Sequence, residues 1–187
     1  SPALLLAAAG LVLLPSCATT LPYAYAGTGL SLYDSATGNS PKFRGGTDEQ
    51  SSAHSLGLGA ELNENLAVEV GFVNLGSHSW NGRWNGARNT GHVNTDGFAW
   101  SVLGKYPLSE QFSVFGRAGV FFWDAEYYEN AAGGRIYGEN HSNSALLGLG
   151  VQAAVAAPVS LRLEWTRLDD IWDDPIDLVQ LQAIYAF

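Results

Sequence analysis

The feature that most constrains the fold of this chain is an alternation of apolar residues with small or polar residues. Successive side chains of a β-strand point to opposite faces, so an apolar period of two predicts strands with one apolar face. Eight segments show the pattern, and each, with its flanks, has about the nine to twelve residues that a tilted strand needs to cross a bilayer. Their alternating cores are residues 28–32, 56–62, 66–72, 98–106, 114–122, 145–153, 159–165 and 179–187.

Short and long polar connections alternate between the predicted strands. Residues 63–65, 107–111 and 156–158 form the short turns, and the long connections are residues 34–52, 77–96, 124–143 and 168–177. Short turns on one side and long loops on the other are typical of barrels in the bacterial outer membrane. The sequence therefore predicts an all-β fold over residues 23–187, an eight-stranded antiparallel transmembrane up-and-down β-barrel.

The charges indicate which face of the strands meets lipid. The apolar face contains no Asp, Glu, Lys or Arg, whereas the opposite face is rich in Gly and Ser and carries six charged residues. Three acids and three bases suit a closed lumen, where buried charges must be paired. A soluble lipocalin-like barrel, with its apolar face inside, is the alternative. We expect a lumenal salt-bridge network of Glu61, Glu69, Lys105, Arg117, Arg162 and Glu164.

Aromatic residues on the apolar face sort into two bands. Such bands are the aromatic girdles that flank the apolar zone of a membrane barrel. The band toward the long loops is Phe72, Phe98, Trp100, Phe122 and Trp165, and the band toward the short turns is Tyr106, Phe112, Tyr185 and Phe187.

Overall charge supports the same interpretation and excludes one class of partner. The chain has 9 basic and 18 acidic residues, a net charge of −9, and only 14% charged residues. The four long connections hold 13 of the acids and 5 of the bases, so the predicted membrane body is nearly neutral. An acidic chain has no excess of cations with which to bind phosphates, which argues against a nucleic-acid partner.

The first eighteen residues predict an export signal. Residues 3–14 form a small-apolar run that is too short for a membrane helix and that ends at Pro15, Ser16, Cys17 and Ala18. We expect a signal peptide over residues 1–18 with a truncated basic region. Cys17 raises the alternative of lipoprotein processing, in which this cysteine carries the lipid.

Several motifs together resemble the OmpA-type transmembrane barrel, without the peptidoglycan-binding domain of that family. They are residues 67–72 (AVEVGF), 103–109 (LGKYPLS), 115–119 (FGRAG) and 161–165 (LRLEW). The resemblance implies that Glu69, Arg117, Arg162 and Glu164 form lumenal salt bridges. It implies that Tyr185 and Phe187 are a signal for the barrel-assembly machinery. A lysine–glutamate pair of the family appears here as Leu103 and Gln152, which weakens any inference of a gated pore.

The resemblance also implies the setting of the protein. It places the chain in the outer membrane of a Gram-negative cell, as a monomer among the outer-membrane lipids and lipopolysaccharide, within the porin family. We expect a structural or surface-interaction role without catalysis and without a cofactor.

Two of the long connections contain candidate binding residues. Trp80, Arg83, Trp84 and Arg88 combine aromatic and cationic groups with neighbouring amides and could bind a sugar or a protein partner. The alternative is that the Asn-Gly pairs only form turns and the tryptophans pack on their own loop. Asp169, Asp170, Asp173 and Asp174 are a weak candidate for a divalent cation, because their spacing matches no defined calcium loop. Our expectation is therefore no metal.

Two further functions remain open. A barrel that reads a host or envelope ligand through its loops would be an adhesin or an immune-evasion protein. A small lipid-modifying enzyme would need a Ser or Asp to meet a His at the loop rim. Ser77 with His78, and Ser142 with His141, are neighbours in the chain, which is poor support for a catalytic site.

Overall fold

A computed structural model describes residues 21–33, 43–47, 50–84, 87–131, 134–171 and 174–187. Within these ranges the chain forms nine strands. They are β1 (Leu21–Tyr33), β2 (Phe43–Thr47), β3 (Gln50–Asn63), β4 (Leu66–Trp84), β5 (Ala87–Pro107), β6 (Phe112–Ala131), β7 (Gly134–Ala156), β8 (Val159–Ile171) and β9 (Asp174–Ala186).

Eight of these strands close into an antiparallel ring, which confirms the predicted fold class. Each long strand pairs with its neighbour in the chain, and β1 closes the ring by pairing with β9. Tyr23 pairs with Ala186, and the backbone N–H of Phe187 donates to the carbonyl of Pro22 at 3.0 Å. The short strand β2 lies outside the ring and pairs with the distal part of β4.

The apolar face of the ring points outward, as the charge distribution predicts. Leu149 is 62% exposed, whereas the neighbouring Gly148 is buried. Phe72, Phe98 and Phe122 are partners across three adjacent strands and form one exposed line of phenylalanines. These three phenylalanines are part of the predicted girdle on the long-loop side. In the described ranges, no helix has the length and apolarity required to span a bilayer.

The prediction of long loops at residues 77–96 and 124–143 is wrong. These residues continue strands β4 to β7 far past the girdle as two hairpins, which we call the distal hairpins. Each hairpin has an aromatic ring lying over a glycine on its inner face. A Cβ atom at Gly91 would collide with the Trp80 ring, and one at Gly138 would collide with the Tyr127 ring. No apolar period of two marks these segments as strands in the sequence. Their backbones nevertheless pair as antiparallel strands.

The interior also contains apolar residues, which the sequence analysis did not assign to the lumen. The outer half of the interior is filled by an apolar layer, a set of buried residues that include Phe121 and Trp123. The other half contains Tyr23, Tyr25 and Phe115 beside the predicted charges. The apolar layer consists of Ala53, Val73, Leu75, Ala99, Phe121, Trp123, Ala125, Leu146, Leu168, Ile171, Ile176 and Leu178.

Candidate functional site

Four of the predicted lumenal charges meet in one ionic cluster, which we call the lumenal network. Arg162 Nη1 lies 2.7 Å from Glu69 Oε1, and Arg117 Nη1 lies 2.8 Å from Glu164 Oε1. Two longer contacts cross-link the pairs: Arg117 Nη2 to Glu69 Oε2 at 3.5 Å and Arg162 Nη1 to Glu164 Oε2 at 4.0 Å. The four side chains are at most 5% exposed. Each charge therefore has a partner of opposite sign in a site that excludes bulk water.

Uncharged groups supply further hydrogen bonds to the lumenal network. The Tyr23 hydroxyl donates to Glu69 Oε1 at 2.7 Å, and the Thr166 hydroxyl donates to Glu164 Oε1 at 2.6 Å. Arg117 Nε donates to Ser101 Oγ at 2.8 Å. Arg162 donates to Gln182 and Gln152 at 3.3 Å, and its guanidinium carbon lies 4.9 Å from the centre of the Phe115 ring. Charge-assisted hydrogen bonds of this kind offset part of the desolvation cost of the ions.

Tyr23 and Tyr25 are lumenal residues that sequence reasoning did not single out. The signal that could have found them is the glycine pattern of strand β3, because glycines leave room for bulky neighbours. A Cβ atom at Gly59 would collide with the Tyr23 ring, and one at Gly57 would lie 2.5 Å from the Tyr25 ring. The glycines of β3 thus permit two tyrosines to enter the lumen beside the lumenal network.

The remaining two predicted charges pair separately, near the short-turn end of the lumen. Lys105 Nζ contacts Glu61 Oε1, and the glutamate side chain is 31% exposed. Such a half-exposed pair is worth less than a buried one because water screens it. The pair is not part of the central cluster.

The candidate binding residues of the first distal hairpin lie on opposite faces. Trp80 is half-buried on the inner face, and its Nε1 donates to Asn89 Oδ1 at 2.8 Å. Arg83 and Arg88 are exposed and pair across β4 and β5 on the outer face. Trp80 and Arg83 therefore do not share one face of the hairpin. The backbone of Trp84 pairs with Ala87, and the Trp84 side chain lies outside the described part of the structure.

The backbone register aligns three arginine positions, which we call the arginine row. The register pairs Arg44 of β2 with Arg83 of β4, and Arg83 with Arg88 of β5. Like charges that are directly opposite in a sheet destabilise it. The row places unusual positive charge at the tip of a chain whose net charge is −9.

Carboxylates form a band on the outer face between the aromatic girdle and the hairpin tips. Asp96 pairs with Asp124, and Glu126 pairs with Glu139 one step farther from the girdle. Partial burial, together with the negative charges of Asp124 and Glu126, raises the pKa of the Asp96 carboxyl above its ordinary value. The sheet therefore carries acids near the membrane and arginines at its tip.

The candidate acidic cluster near β8 is only partly described. Arg167 forms ion pairs with Asp169 at 3.5 Å and with Asp177 at 3.3 Å, so two of the local acids have a cationic partner. The side chains of Asp170, Asp173 and Asp174 lie outside the described residues. Where side chains are described, no three His, Cys, Asp or Glu groups are arranged to hold a metal ion.

The serine–histidine neighbours do not come together as catalytic pairs. Ser77 and His78 are consecutive in β4, and His141 and Ser142 are consecutive in β7, so each pair points to opposite faces. The register instead places Asp124 opposite His141, and Ser79 opposite His92 in a row that continues to Tyr128. Neither row combines a serine, a histidine and a carboxylate.

Two further sites predicted from sequence concern processing and assembly. Cys17 and the rest of residues 1–18 lie outside the described residues. Tyr185 and Phe187 are exposed at the short-turn end, where their ring centres are 5.6 Å apart. They are therefore accessible at the end of the last strand.

Comparison with known sequences identifies relatives among outer membrane proteins. A family model described as "OmpA-like transmembrane domain" matches residues 18–182. Outer membrane protein P5 of Haemophilus influenzae is 34% identical over 115 residues, which are 57% of this chain and 32% of P5. Outer membrane protein A of Escherichia coli O157:H7 is 26% identical over 126 residues, 63% of this chain and 33% of that protein. The chain thus spans about a third of the length of these relatives.

Comparison with solved structures supports the same fold. Ail, the attachment invasion locus protein of Yersinia pestis, was crystallised with the heparin analogue sucrose octasulfate. It is similar with a TM-score of 0.57 and 13% identity, over 90% of this chain and 97% of Ail. The N-terminal β-barrel domain of Pseudomonas aeruginosa OprF gives a TM-score of 0.55 and 7% identity, over 91% and 98% of the two chains. Ring, register and sequence agree: this outer-membrane chain belongs to the family of OmpA-like transmembrane domains.

Proposed function

We propose that the barrel is a closed, non-catalytic membrane anchor that carries its two distal hairpins at the cell surface. The observation that supports this function most is the filled lumen, in which the apolar layer lies directly above the lumenal network. Phe121 of that layer is fully buried, and so is Arg162 of the network. We further propose that the anchor is a monomer, is surrounded by outer-membrane lipids and is assembled through Tyr185 and Phe187.

The apolar layer and the lumenal network both oppose the passage of solutes through the barrel. The interior of an eight-stranded barrel is just wide enough for its own side chains. An ion that enters from the outside would have to lose its hydration shell against the apolar layer, at a cost that no polar group there repays. It would then meet guanidinium and carboxylate groups that are already ion-paired with one another. The sequence departure at Leu103, a fully buried apolar residue, fits the same closed state.

Solute uptake by liposomes tests the proposed closure. Purified folded protein is reconstituted into liposomes, and osmotic swelling is followed in arabinose and in larger sugars, with a general porin as the positive control. We expect swelling no faster than in protein-free liposomes. Swelling that falls with solute size, as for a pore, would contradict the proposal.

A second candidate function is polyanion binding at the hairpin tip, favoured by the arginine row. Arg83 and Arg88 are exposed, and the backbone register adds Arg44. Guanidinium groups bind sulfate and phosphate through paired hydrogen bonds. The complex of Ail with a sulfated heparin analogue concerns a protein of similar fold, and it suggests which probe to use here.

Binding of a sulfated oligosaccharide tests this second function. We expect Arg83→Ala and Arg88→Ala each to weaken binding, and the salt dependence to become shallower because fewer counterions are released. Arg167→Gln is the matched control, since Arg167 carries the same charge but lies at β8, paired with Asp169 and Asp177. If Arg167→Gln weakened binding equally, the loss would follow from the change in net charge, and a binding site at the hairpin tip would be rejected.

A further inference from the structure

The outer face of the distal hairpins carries a row of three aromatic rings. His92 of β5, Tyr128 of β6 and Tyr137 of β7 are directly paired across the three strands. The His92 and Tyr128 ring centres are 5.5 Å apart, and those of Tyr128 and Tyr137 are 5.0 Å apart. Tyr137 is 70% exposed and His92 is also exposed. We call these three residues the aromatic row; with strands about 4.8 Å apart, it spans about 10 Å.

The aromatic row faces sideways, over the membrane surface. In β5, His92 and Phe98 are six residues apart, and because this separation is even they lie on the same face of the sheet. Phe98 belongs to the lipid-facing girdle. The row is therefore continuous with the surface that contacts the outer leaflet rather than with the tip of the hairpins.

The height of the aromatic row above the girdle indicates which component of the outer leaflet the row meets. Six residues of rise are about 20 Å along the strand, or about 15 Å along the membrane normal at a tilt of about 40°. Phospholipid headgroups extend only about 5 to 8 Å beyond the hydrocarbon. A lipid that reaches the aromatic row from the girdle must therefore carry a larger headgroup, and a saccharide headgroup meets this requirement.

Polar groups border the aromatic row on both sides. Toward the tip, Asn130 pairs with Arg135, and Asn130 Nδ2 donates to the Tyr128 hydroxyl at 2.9 Å. Toward the membrane, Glu126 pairs with Glu139 on the same outer face. One border therefore offers donors and the other offers acceptors. Sugar hydroxyls can use both, whereas a bare phosphate would be repelled by the two glutamates.

We propose that the aromatic row is a saccharide-binding platform that takes the sugar headgroup of an outer-leaflet glycolipid. The C–H face of a sugar ring packs on the exposed, electron-rich face of Tyr137, as partly positive groups do on aromatic quadrupoles. Tyr128, inclined at 60° to Tyr137, and His92 border this contact. Glu126 and Glu139 accept hydrogen bonds from hydroxyls, while Arg135 donates. Cross-strand pairing alone would account for the ring contacts, but it leaves the exposed face of Tyr137 unused.

The platform does not depend on the closed lumen, so the two proposals fail separately. Its test is a titration of the folded protein, held in phosphatidylcholine nanodiscs, with the deacylated core oligosaccharide of rough-form lipopolysaccharide. The deacylated, bisphosphorylated glucosamine disaccharide and a sulfated heparin oligosaccharide are titrated in parallel. The variants are Tyr137→Ser and Tyr137→Phe, and the control is Ile136→Ser. Ile136 is 49% exposed, adjacent in β7, and on the opposite face of the sheet.

We expect saturable binding of the core oligosaccharide that Tyr137→Ser weakens about 3- to 10-fold, the value of one aromatic contact. Tyr137→Phe should retain binding because it keeps the ring, and Ile136→Ser should be unchanged. Three results would overturn the proposal: no saturable binding, equal loss in the Ile136→Ser control, or equally tight binding of the bisphosphorylated disaccharide. Tighter binding of the heparin oligosaccharide, unaffected by Tyr137→Ser, would also overturn it and assign the affinity to the arginine row.

Discussion

Replacement of Arg162 by alanine removes the most buried cation of the lumenal network. The change deletes the 2.7 Å ion pair with Glu69, two hydrogen bonds to glutamines and the contact with the Phe115 ring. Breaking a buried ion pair from one side typically costs about 3 to 5 kcal/mol, because the other charge stays buried without its partner. Glu69 keeps Arg117 at 3.5 Å and the Tyr23 hydroxyl at 2.7 Å. We therefore expect a loss of about 3 kcal/mol, the lower end of that range.

The assay is reversible urea unfolding in lipid vesicles, followed by tryptophan fluorescence and by the change in electrophoretic mobility that a folded barrel shows before boiling. Arg135→Ala is the control, since Arg135 is exposed in the second distal hairpin and should change stability by less than about 0.5 kcal/mol. A matching Glu69→Ala and the double variant complete a cycle. The double variant should cost less than the sum of the single ones, by about 1 to 3 kcal/mol. Equal midpoints for Arg162→Ala and Arg135→Ala, or strict additivity, would refute the network as a source of stability.

Three further predictions concern other parts of the barrel. Gly150→Ala should destabilise the fold by about 1 to 3 kcal/mol, because the added Cβ would collide with the Phe115 ring. Gly104→Ala is the control and should be tolerated, because the space around Gly104 is open. The same urea titration compares the two variants. Asp96→Asn should stabilise the protein at pH 7, because the folded state raises the pKa of this carboxyl and so binds more protons than the unfolded state. Its advantage should shrink as the pH falls through the raised folded-state pKa and vanish below the unfolded value of about 3.9, and an advantage independent of pH would reject this reasoning. Phe187→Ser should reduce the yield of folded protein in outer-membrane fractions of expressing cells while leaving in vitro refolding intact; unchanged yield would remove Phe187 from the assembly signal.

The orientation of the barrel wall could be predicted because its sequence separates two kinds of surface. Glu69, Arg117, Arg162 and Glu164 all lie out of phase with the apolar residues of their strands. A period of two then assigns them to one face, and the need to pair buried charge assigns that face to the lumen. The antiparallel register then places the charged residues of β4, β6 and β8 at a similar height in the barrel. Which acid pairs with which base depends on the stagger of the strands, and that is not readable from one sequence.

The apolar layer escaped prediction because both faces of its strands are apolar. In the run from Val120 to Trp123, Phe121 and Trp123 enter the lumen while Val120 and Phe122 face outward. A run without alternation hides which face is which. The distal hairpins escaped for the opposite reason, since most of their residues are polar or small and no apolar period of two runs through them. Ring–glycine contacts such as that of Trp80 with Gly91 are not visible as a pattern in the sequence.

Ion conductance tests most directly whether the lumen is closed. Purified protein would be inserted into a planar lipid bilayer in 1 M KCl, with insertion verified by immunodetection of the recovered membrane. Our expectation is a current no larger than that of the bare bilayer, because the apolar layer above Arg117 and Arg162 offers hydrated ions no polar path. Discrete current steps that grow with the salt concentration would contradict it.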